Sequence, residues 1–350
     1  MFTAMAEPAT VRANMPVAST PGYTPMQLPR DAFACRVTHW ELVGDVTIVF
    51  ELDGAAAGQT YAPGAHLELL LEAGPRQYSL CNRPGRCFRL AVQREAHGRG
   101  GSIEVFERVQ RGEALWVRGP NNVFAASSLM RTEHALLIAG GIGITPILAM
   151  AYARFDAGLP FTLHYSGRHA RDMAFVSELK AMAALRPDLA SIHLYCTRDA
   201  GGRRADLAES LGMYDARTEV FLCGSGRLLD AVQDAAFALG WPEEAIHFER
   251  FSAELPKPQA GDAEFQVEIA STGQRITVGA EETVADALAR SGVVIPISCA
   301  AGVCGSCRTR LLSGEADHRD LFYSPEEQAG QTEFTPCCSR AHSPLLVLDL

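Results

Sequence analysis

Alternation of hydrophobic and polar positions marks a first block between Phe33 and about residue 123, where short strand-like segments recur with turn residues between them. The segments are 46–52, 66–71, 77–80 and 88–93. Short strands spaced in this way are typical of a small antiparallel barrel or sandwich. The pattern predicts an antiparallel β domain over residues 31–127. Residues 1–30, which are rich in Pro, Ala, Thr and Met, are predicted to form a flexible tail.

The pattern changes at about His134, where a continuous apolar run, 135–139, leads into glycines and a helix-like segment. Strand-like and helix-like segments then alternate. The strand-like segments are 161–165, 192–196, 220–223 and 245–248, and the helix-like segments are 173–185 and 227–239. Such alternation indicates βαβ units and a parallel sheet. Residues 128–253 are therefore predicted to form an α/β domain.

A third block follows residues 254–262, a Pro-rich and polar segment that is predicted to be an inter-domain linker. Beyond it the sequence contains a cysteine-rich loop among strand-like and helix-like segments. The strands are predicted at 265–269, 275–278 and 345–350, and the helix at 283–290. We expect residues 263–350 to form a separate domain of mixed α and β structure.

Composition limits the classes of function. The net charge of −10 makes nucleic acid and anionic membranes poor general partners. The sequence has no run of 18 apolar residues and no basic start followed by an apolar stretch, so neither a membrane span nor a secretory signal is predicted. Five of the ten cysteines lie between Cys299 and Cys338. Such clustering favours a metal site in a reducing cytoplasm over a disulfide framework.

The clustered cysteines have a specific spacing, because Cys299, Cys304 and Cys307 share one loop and Cys337 follows after 29 intervening residues. This is the C-x4-C-x2-C…C pattern of plant-type 2Fe–2S proteins. Small residues between the cysteines let the backbone approach an inorganic core closely. Zinc is the main alternative, but structural zinc usually takes two separated ligand pairs. Cys338 is an adjacent thiol, so it leaves open which of the two neighbours is the fourth ligand.

A glycine turn follows the apolar run 135–139, in the sequence AGGIGITP, and it ends at Pro146. Glycines admit a pyrophosphate, and a helix N-terminus favours the anion. Thr145 is predicted to cap the helix, with Pro146 in its first turn. The dinucleotide fingerprint is only partly met, because Pro146 replaces its third glycine and Ser166 and Arg168 stand where an acidic residue is usual. A purely structural glycine turn is the alternative.

A second turn of this kind, CGSG, begins at Cys223 and follows another apolar strand. Ligands of α/β sheets bind beyond the carboxyl ends of the strands, where both turns are predicted to lie. Cys223 considered alone is as well explained as a buried core cysteine.

The first block contains residues suited to a flavin. Arg76 can bind a phosphate, Tyr78 can stack on a flat ring, and Ser79 can donate to a ring nitrogen. Farther along, the glycines of GRGGS open a predicted helix, 103–109, whose N-terminus is a further phosphate cradle. The alternatives are an exposed strand and a hairpin turn.

Together the segments RQYS, GRGGS, GGIGITP, CGSG and CAAGVCGSC resemble the phthalate dioxygenase reductase group of the ferredoxin–NADP reductase superfamily, over about residues 32–350. The resemblance implies an antiparallel β-barrel flavin domain, an α/β parallel-sheet nucleotide domain and an α+β, β-grasp ferredoxin domain, in that order. It implies FMN, NADH and a 2Fe–2S cluster as cofactors. The absence of a long insertion after GRGGS fits FMN.

The resemblance also implies roles for individual residues. Ser79 is placed near flavin N5, Cys223 near the reacting nicotinamide carbon, and Phe251 against the flavin, and these three are the predicted catalytic residues. The flavin is expected to contact Arg76, Gln77, Tyr78, Ser79, Gly100, Gly101 and Ser102. The nicotinamide nucleotide is expected to contact Gly141, Gly143, Thr145, Pro146, Ser166, Arg168 and Gly224. The expected cluster ligands are Cys299, Cys304, Cys307 and Cys337.

The function that the resemblance implies is electron transfer from NADH, through FMN and the cluster, to a terminal Rieske-type oxygenase that hydroxylates or O-demethylates an aromatic acid or similar small molecule. From Asp262 onward the sequence has 13 acidic residues and 6 arginines, so the partner is expected to dock near an acidic ferredoxin domain. A haem oxygenase as acceptor, or a redox-sensing regulatory role, are the alternatives. We expect a cytoplasmic monomer.

Overall fold

The computed structural model describes residues 28–29, 31–53, 59–85, 87–96, 98–122, 124, 128–251, 259, 261–297 and 299–350. The chain divides into two compact units, residues up to Arg250 and residues from Phe251 onward. Most of the predicted tail and most of the predicted linker lie outside the described residues. No helix in these ranges is both long and apolar enough to cross a membrane.

A curled antiparallel sheet begins the first unit, with strand order β4-β3-β6-β1-β2-β5. Its strands are β1 (Phe33–Val43), β2 (Thr47–Asp53), β3 (His66–Leu70), β4 (Arg76–Ser79), β5 (Phe88–Gln93) and β6 (Leu115–Asn121), and α1 (Gly101–Gln110) lies between β5 and β6. The two edge strands approach each other through a bridge between Leu80 and Leu90. The sheet is therefore a half-barrel, which confirms the predicted antiparallel architecture.

A parallel five-stranded sheet with order β11-β10-β7-β8-β9 forms the rest of the first unit. Its strands are β7 (His134–Gly140), β8 (Phe161–Gly167), β9 (Ala190–Cys196), β10 (Thr218–Gly224) and β11 (Ile246–Arg250), and its helices are α2 (Ile144–Asp156), α3 (Val176–Leu185), α4 (Leu207–Leu211) and α5 (Gly226–Ala238). The predicted α/β class is confirmed. The helix expected from residue 173 begins only at Val176, because Phe175 has left-handed backbone angles (φ 63°).

The half-barrel and the parallel sheet share one hydrophobic core. Val49 and Ala91 of the half-barrel belong to the same buried cluster as Ile147 and Leu148 of α2. A continuous core of this kind explains why the two sheets form a single compact unit, since apolar surface is removed from water on both sides of the boundary.

The second unit is a mixed sheet with order β13-β12-β18-β14-β16 and a separate pair, β15 with β17. Its elements are β12 (Phe265–Ile269), β13 (Gln274–Val278), α6 (Val284–Arg290), β14 (Thr309–Ser313), β15 (Ala316–Asp317), α7 (Pro325–Ala329), β16 (Glu333–Phe334), β17 (Arg340–Ala341) and β18 (Leu345–Leu348). The helix α6 packs on this sheet around Val284 and Leu288, and the same buried cluster includes Cys307 and Cys337. The core therefore holds two of the predicted cluster ligands.

Candidate functional site

The backbone N–H groups of the cysteine loop point at the Sγ atom of Cys299. Sγ of Cys299 accepts hydrogen bonds from the N–H groups of Ala301, Val303 and Cys304, each at 3.4 Å. Sγ of Cys304 accepts one from the N–H of Cys299, also at 3.4 Å. Backbone donors aimed at sulfur are the surroundings that an iron–sulfur cluster requires, because such bonds stabilise its negative charge.

Two glycines make this loop possible. Gly302 has a φ of 70°, and a β-carbon there would lie 2.5 Å from Sγ of Cys338. Gly305 has a φ of 67°, and a β-carbon there would overlap the ring of Phe322. Both positions therefore exclude larger residues on steric and conformational grounds. The segment after β15 packs against the loop, and the N–H of Leu321 donates to the carbonyl of Gly302 at 2.9 Å.

The four predicted ligands lie together. Thiol hydrogen bonds join Cys299 to Cys304 and Cys337, and they also join Cys337 to Cys307. The bonds from Cys304 and Cys337 lower the pKa of the Cys299 thiol well below its usual range. Four thiols, small intervening residues and N–H donors to sulfur fit a 2Fe–2S cluster.

The described residues contain no group of three or more His, Cys, Asp or Glu arranged around a single metal ion. This finding is compatible with the fit to a cluster, because a 2Fe–2S cluster takes two thiolates on each of two irons. Its four ligands need not converge on one point.

Cys338 has different surroundings from Cys337. It is buried, and its Sγ lies 3.1 Å from Oγ1 of Thr335. The same Sγ packs against the backbone of Gly302. Cys337 is the neighbour that bonds to both Cys299 and Cys307. This arrangement supports Cys337 as the fourth ligand and gives Cys338 a packing role.

The two glycine turns of the parallel sheet, which follow β7 and β10, lie side by side. The parallel register pairs Ala139 at the end of β7 with Cys223 at the end of β10, and it pairs Gly140 with Ser166 of β8. A β-carbon at Gly143 would overlap the carbonyl of Cys223. The turns can therefore meet only because Gly143 has no side chain. The meeting point lies at the carboxyl ends of the strands, where α/β proteins bind nucleotides.

The predicted role of Thr145 as a helix cap is wrong. The N-cap of α2 is Gly143, without a side-chain bond, and the buried hydroxyl of Thr145 donates to the carbonyl of Ile142 at 3.0 Å. Thr145 is the second helical residue, so its hydroxyl bonds backward along the turn and cannot reach the open N–H groups. The N–H of Ile144 bonds back to the carbonyls of Gly141 and Ile142, and Pro146 has no N–H, so the first turn of α2 offers few open N–H groups to an anion. Pro146 is itself buried, and Arg168 is exposed just beyond β8.

The Cys223 thiol is fully buried, and burial followed by the nearby Glu249 carboxyl raises its pKa well above the usual value. Cys223 is therefore a neutral thiol, unlike the low-pKa cysteines that act as nucleophiles. The predicted partner Phe251 directly follows β11 and is 37 % exposed.

Glu249 is a candidate that the sequence reasoning missed. It pairs with Cys223 in the parallel register of β11 with β10. The residue keeps some exposure, but its Oε2 atom is buried and has no hydrogen-bond partner among the described residues. Burial raises the pKa of Glu249 to about 8, so the carboxyl holds a proton at neutral pH. Its sequence signal is weak, because one Glu in a strand is ordinarily exposed.

The flavin segment has the features of an anion site at the start of α1. This helix begins at Gly101, after Gly100 with a φ of 84°, and it has no side-chain cap. The Arg76 side chain crosses the first turn, because a β-carbon at Gly101 would lie 2.9 Å from its Nε. Burial and then the charge of Arg99 lower the pKa of Arg76. Two neighbouring guanidinium groups at a helix N-terminus fit a phosphate. The hydroxyl of Ser102 accepts a hydrogen bond from the N–H of Glu95 at 3.0 Å, so its own proton is available to donate.

The other predicted flavin residues follow on β4. Gln77 pairs with Glu68, and Ser79 is buried opposite His66 of β3. Burial lowers the pKa of His66 to about 4, so it is a neutral imidazole beside Ser79, and sequence reasoning did not single it out. Burial also raises the pKa of Tyr78, which keeps its phenol protonated.

Comparison with known proteins agrees with this geometry. Residues 137–234 match the oxidoreductase NAD-binding domain, and residues 267–342 match the 2Fe-2S iron-sulfur cluster binding domain. A vanillate O-demethylase oxidoreductase of Pseudomonas sp. strain HR199 is 39 % identical over 291 residues, which cover 82 % of this chain and 89 % of the relative. The crystal structure of phthalate dioxygenase reductase is similar with a TM-score of 0.66 and 33 % identity, over 91 % of this chain and 98 % of that one.

The chain belongs to the phthalate dioxygenase reductase group. It is an oxidoreductase of the kind that serves oxygenase systems, and its cofactors are FMN, NADH and a 2Fe–2S cluster. An intact type IV self-sufficient cytochrome P450 monooxygenase is also similar, with a TM-score of 0.77 and 33 % identity over 91 % of this chain, which is 41 % of that one.

Replacing Gly143 by Ala tests the contact between the two glycine turns. The added methyl group must displace the carbonyl of Cys223, so we expect NADH-dependent reduction to fall by at least about tenfold through misplacement of the nucleotide. The measurement is steady-state dye reduction with varied NADH. The control is Gly158→Ala, since no atom lies within 4 Å of its added β-carbon; its φ of 70°, against −61° at Gly143, makes it the more strained backbone position of the two. Equal activity of the two variants would contradict the assigned role of the close contact.

Replacing Glu249 by Gln tests its buried protonation. Because the pKa of this carboxyl is raised in the folded state, the folded protein keeps a proton that the unfolded chain releases. The free energy of unfolding of the wild type should therefore fall relative to Glu249→Gln as pH rises from about 4.5 to about 8, by at most about 1.4 kcal/mol per pH unit. Urea unfolding at several pH values measures the difference. Parallel profiles for the two proteins would rule out the buried proton.

Proposed function

We propose that this chain is the NADH-dependent reductase of a two-component system and delivers electrons to a terminal Rieske-type oxygenase acting on an aromatic acid or similar small molecule, by hydroxylation or O-demethylation. The observation that carries the proposal is the thiol constellation of the cysteine loop, on the same chain as the paired nucleotide turns. The relative named as a vanillate O-demethylase oxidoreductase supports O-demethylation.

When bound, NADH supplies two electrons as a hydride, FMN can accept the pair and release electrons singly, and the 2Fe–2S cluster carries one at a time. The chain's own residues bind and orient these groups. The residues proposed to bind the flavin phosphate are Arg76, Gly100, Gly101 and Ser102. The residues proposed to bind the nicotinamide nucleotide are Gly141, Gly143, Thr145, Pro146, Ser166, Arg168 and Gly224.

The proposed hydride-transfer residues are uncharged at neutral pH. Ser79 is buried and supplies a hydroxyl, Cys223 is a neutral thiol, and Phe251 offers an apolar ring face. Hydride transfer needs no general base, so a protonated Glu249 does not slow the proposed reaction.

The electron acceptor is proposed to dock on the second unit. Five of the six arginines there form ion pairs within the unit, for example Arg275 with Glu268, and the sixth, Arg308, is exposed beside the cysteine loop. By contrast, Glu281, Glu315 and Glu326 are exposed and have no ion-pair partner in the part of the chain that the structure describes. The resulting negative surface suits a basic partner and speeds their encounter.

A contact point for the acceptor is proposed beside the cysteine loop. Leu321 is 63 % exposed although its N–H is bonded to Gly302 of the loop. An exposed apolar side chain beside the loop offers a protein partner apolar surface to bury. An oxygenase bound at Leu321 would be close to the loop that holds the cluster.

A haem oxygenase is the second candidate acceptor. The similarity to part of a self-sufficient P450 monooxygenase favours it, because that protein contains a segment like this whole chain. Anaerobic mixing of the NADH-reduced protein with a purified Rieske oxygenase and with a purified P450 separates the two, since only the true acceptor is reduced at a catalytically useful rate.

Replacing Cys307 by Ser tests the cluster assignment. We expect the variant to lose the iron–sulfur absorption and the reduction of a one-electron protein acceptor, because Cys307 is a proposed ligand. Reduction of a two-electron dye by NADH should stay within about twofold of the wild type, since the flavin and nucleotide residues are untouched.

Cys338→Ser is the matched control for this experiment, because Cys338 is the adjacent buried thiol with a packing role. It should keep both the cluster and the one-electron activity. The assignment fails if Cys307→Ser keeps its cluster while Cys338→Ser loses it. The proposed division of labour fails if dye reduction disappears together with the cluster.

A further inference from the structure

A partly buried polar cluster joins the half-barrel to the parallel sheet, and none of its members is used in the site described above. We call Arg89 of β5, Tyr152 of α2 and Glu178 of α3 the Arg89 cluster. Nη1 of Arg89 donates to Oε1 of Glu178 at 3.1 Å, and Nη2 donates to Oε2 at 2.9 Å. The hydroxyl of Tyr152 donates to the same carboxylate. The guanidinium is therefore held in both position and orientation, because a bidentate pair fixes the plane of the fork.

Each partner of Arg89 lies on a strand end or helix that also carries, or directly adjoins, residues of the proposed flavin and nucleotide sites. Nη2 also donates to the carbonyl of Cys81 at 3.1 Å, two residues beyond Ser79. Tyr152 lies on α2, the helix that starts at the first glycine turn. Glu178 lies in the first turn of α3, the helix that follows the end of β8, where Ser166 and Arg168 lie. One guanidinium thus links the flavin-binding strand to both segments that are proposed to bind the nucleotide.

Phe175 shows that this arrangement is held against local backbone preference. It is a bulky residue in the left-handed region, with a φ of 63°, immediately before α3. Its ring lies under the Arg89 guanidinium, with Cζ 4.8 Å from the ring centroid. Such strain persists only where the surrounding contacts over-determine the conformation. The strained residue places both the Phe175 ring and the adjoining Glu178 against Arg89.

Neighbouring contacts reinforce Tyr152. The guanidinium of Arg83, on the loop between β4 and β5, lies 3.9 Å from the centroid of the Tyr152 ring. Arg83 also forms a two-pronged ion pair with Asp156 at the end of α2, with Nη2 to Oδ1 at 2.8 Å. The half-barrel therefore contacts α2 at the Tyr152 ring and at the end of the helix, through Arg83. It contacts α3 through Arg89.

Stability alone is a poor explanation for this cluster. An ion pair withdrawn from water gains little net free energy, because desolvation offsets the attraction. A geometric role fits better, since hydride transfer requires the donor and acceptor atoms within a narrow range of distance and angle. Lysine in place of Arg89 would keep the charge but lose the planar fork and the simultaneous bonds to three elements.

We propose that Arg89, acting through Glu178 and Tyr152, is a positioning residue that fixes the nucleotide-binding turns against the flavin-binding strand and so sets the geometry of hydride transfer. This inference rests on the proposed function, because it assumes that NADH reduces a flavin held by the half-barrel.

The test uses the full-length protein loaded with FMN and its cluster, in the variants Arg89→Lys and Tyr152→Phe. Anaerobic stopped-flow mixing with NADH gives the limiting rate of flavin bleaching and the apparent Kd for NADH. We expect the limiting rate to fall on the order of 10- to 100-fold, with a smaller change in Kd. Deuterated NADH should show a larger isotope effect in the variants than in the wild type, because misplacement slows the hydride step itself.

A second readout is independent of activity. Hydrogen–deuterium exchange should become faster at Cys81 and in the first turns of α2 and α3 of both variants, because these backbones lose a shared anchor. The matched control is Arg186→Lys, since Arg186 forms an exposed two-pronged pair with Asp188 in the connection between α3 and β9. It should change neither the limiting rate nor the exchange in these segments.

The inference is overturned if both variants keep the limiting rate and isotope effect of the wild type, even when their melting temperatures fall. If Arg89→Lys does not fold, Tyr152→Phe decides by the same criterion, because it removes one hydroxyl and preserves the ring. Failure of the proposed function has a different signature, since the wild-type flavin would then not be bleached by NADH at all.

Discussion

Close approach of backbone to backbone is the constraint on which this structure depends. The nucleotide turns meet because Gly143 has no β-carbon to displace the carbonyl of Cys223. A related constraint operates at Gly101 and Gly302, where the side chains of Arg76 and Cys338 pack directly on the glycine backbone. Main-chain N–H groups near such glycines are the kind that bind phosphates or stabilise sulfur ligands. A single property of glycine therefore underlies three sites with different chemistry.

Burial determines the charge state of the side chains around these turns. His66, Cys223 and Glu249 are all neutral at physiological pH, because removal from water disfavours their ionised forms. The outer surface of the second unit is acidic instead, which suits a basic protein partner. The residues beside the glycine turns are thus mostly neutral, while the exposed acidic residues of the second unit keep their charge.

The sequence predicted the architecture because its signals were local. Alternation and apolar runs located most of the strands, and the cysteine spacing identified a loop whose thiols the structure brings together. The two-residue strands β15, β16 and β17 were missed, since they are too short to show a period. The Thr145 cap was wrong because the turn before α2 tightens, so that Gly143 becomes the N-cap.

The remaining features depend on tertiary contacts that no local pattern reveals. Glu249 and His66 look like ordinary strand residues until the register places them beside Cys223 and Ser79. Arg89 has no sequence signal either, because its three partners lie 8, 63 and 89 residues away along the chain. Buried polar contacts across long sequence separations are set by packing.

The most direct test of the central claim is an anaerobic titration of the purified wild-type protein with NADH, followed by absorption spectroscopy. The account predicts that the flavin and iron–sulfur bands are both present at the start and bleach together as NADH is added. A colourless protein, or a flavin that bleaches while the iron–sulfur band persists, would contradict an internal path that ends at Cys299, Cys304, Cys307 and Cys337.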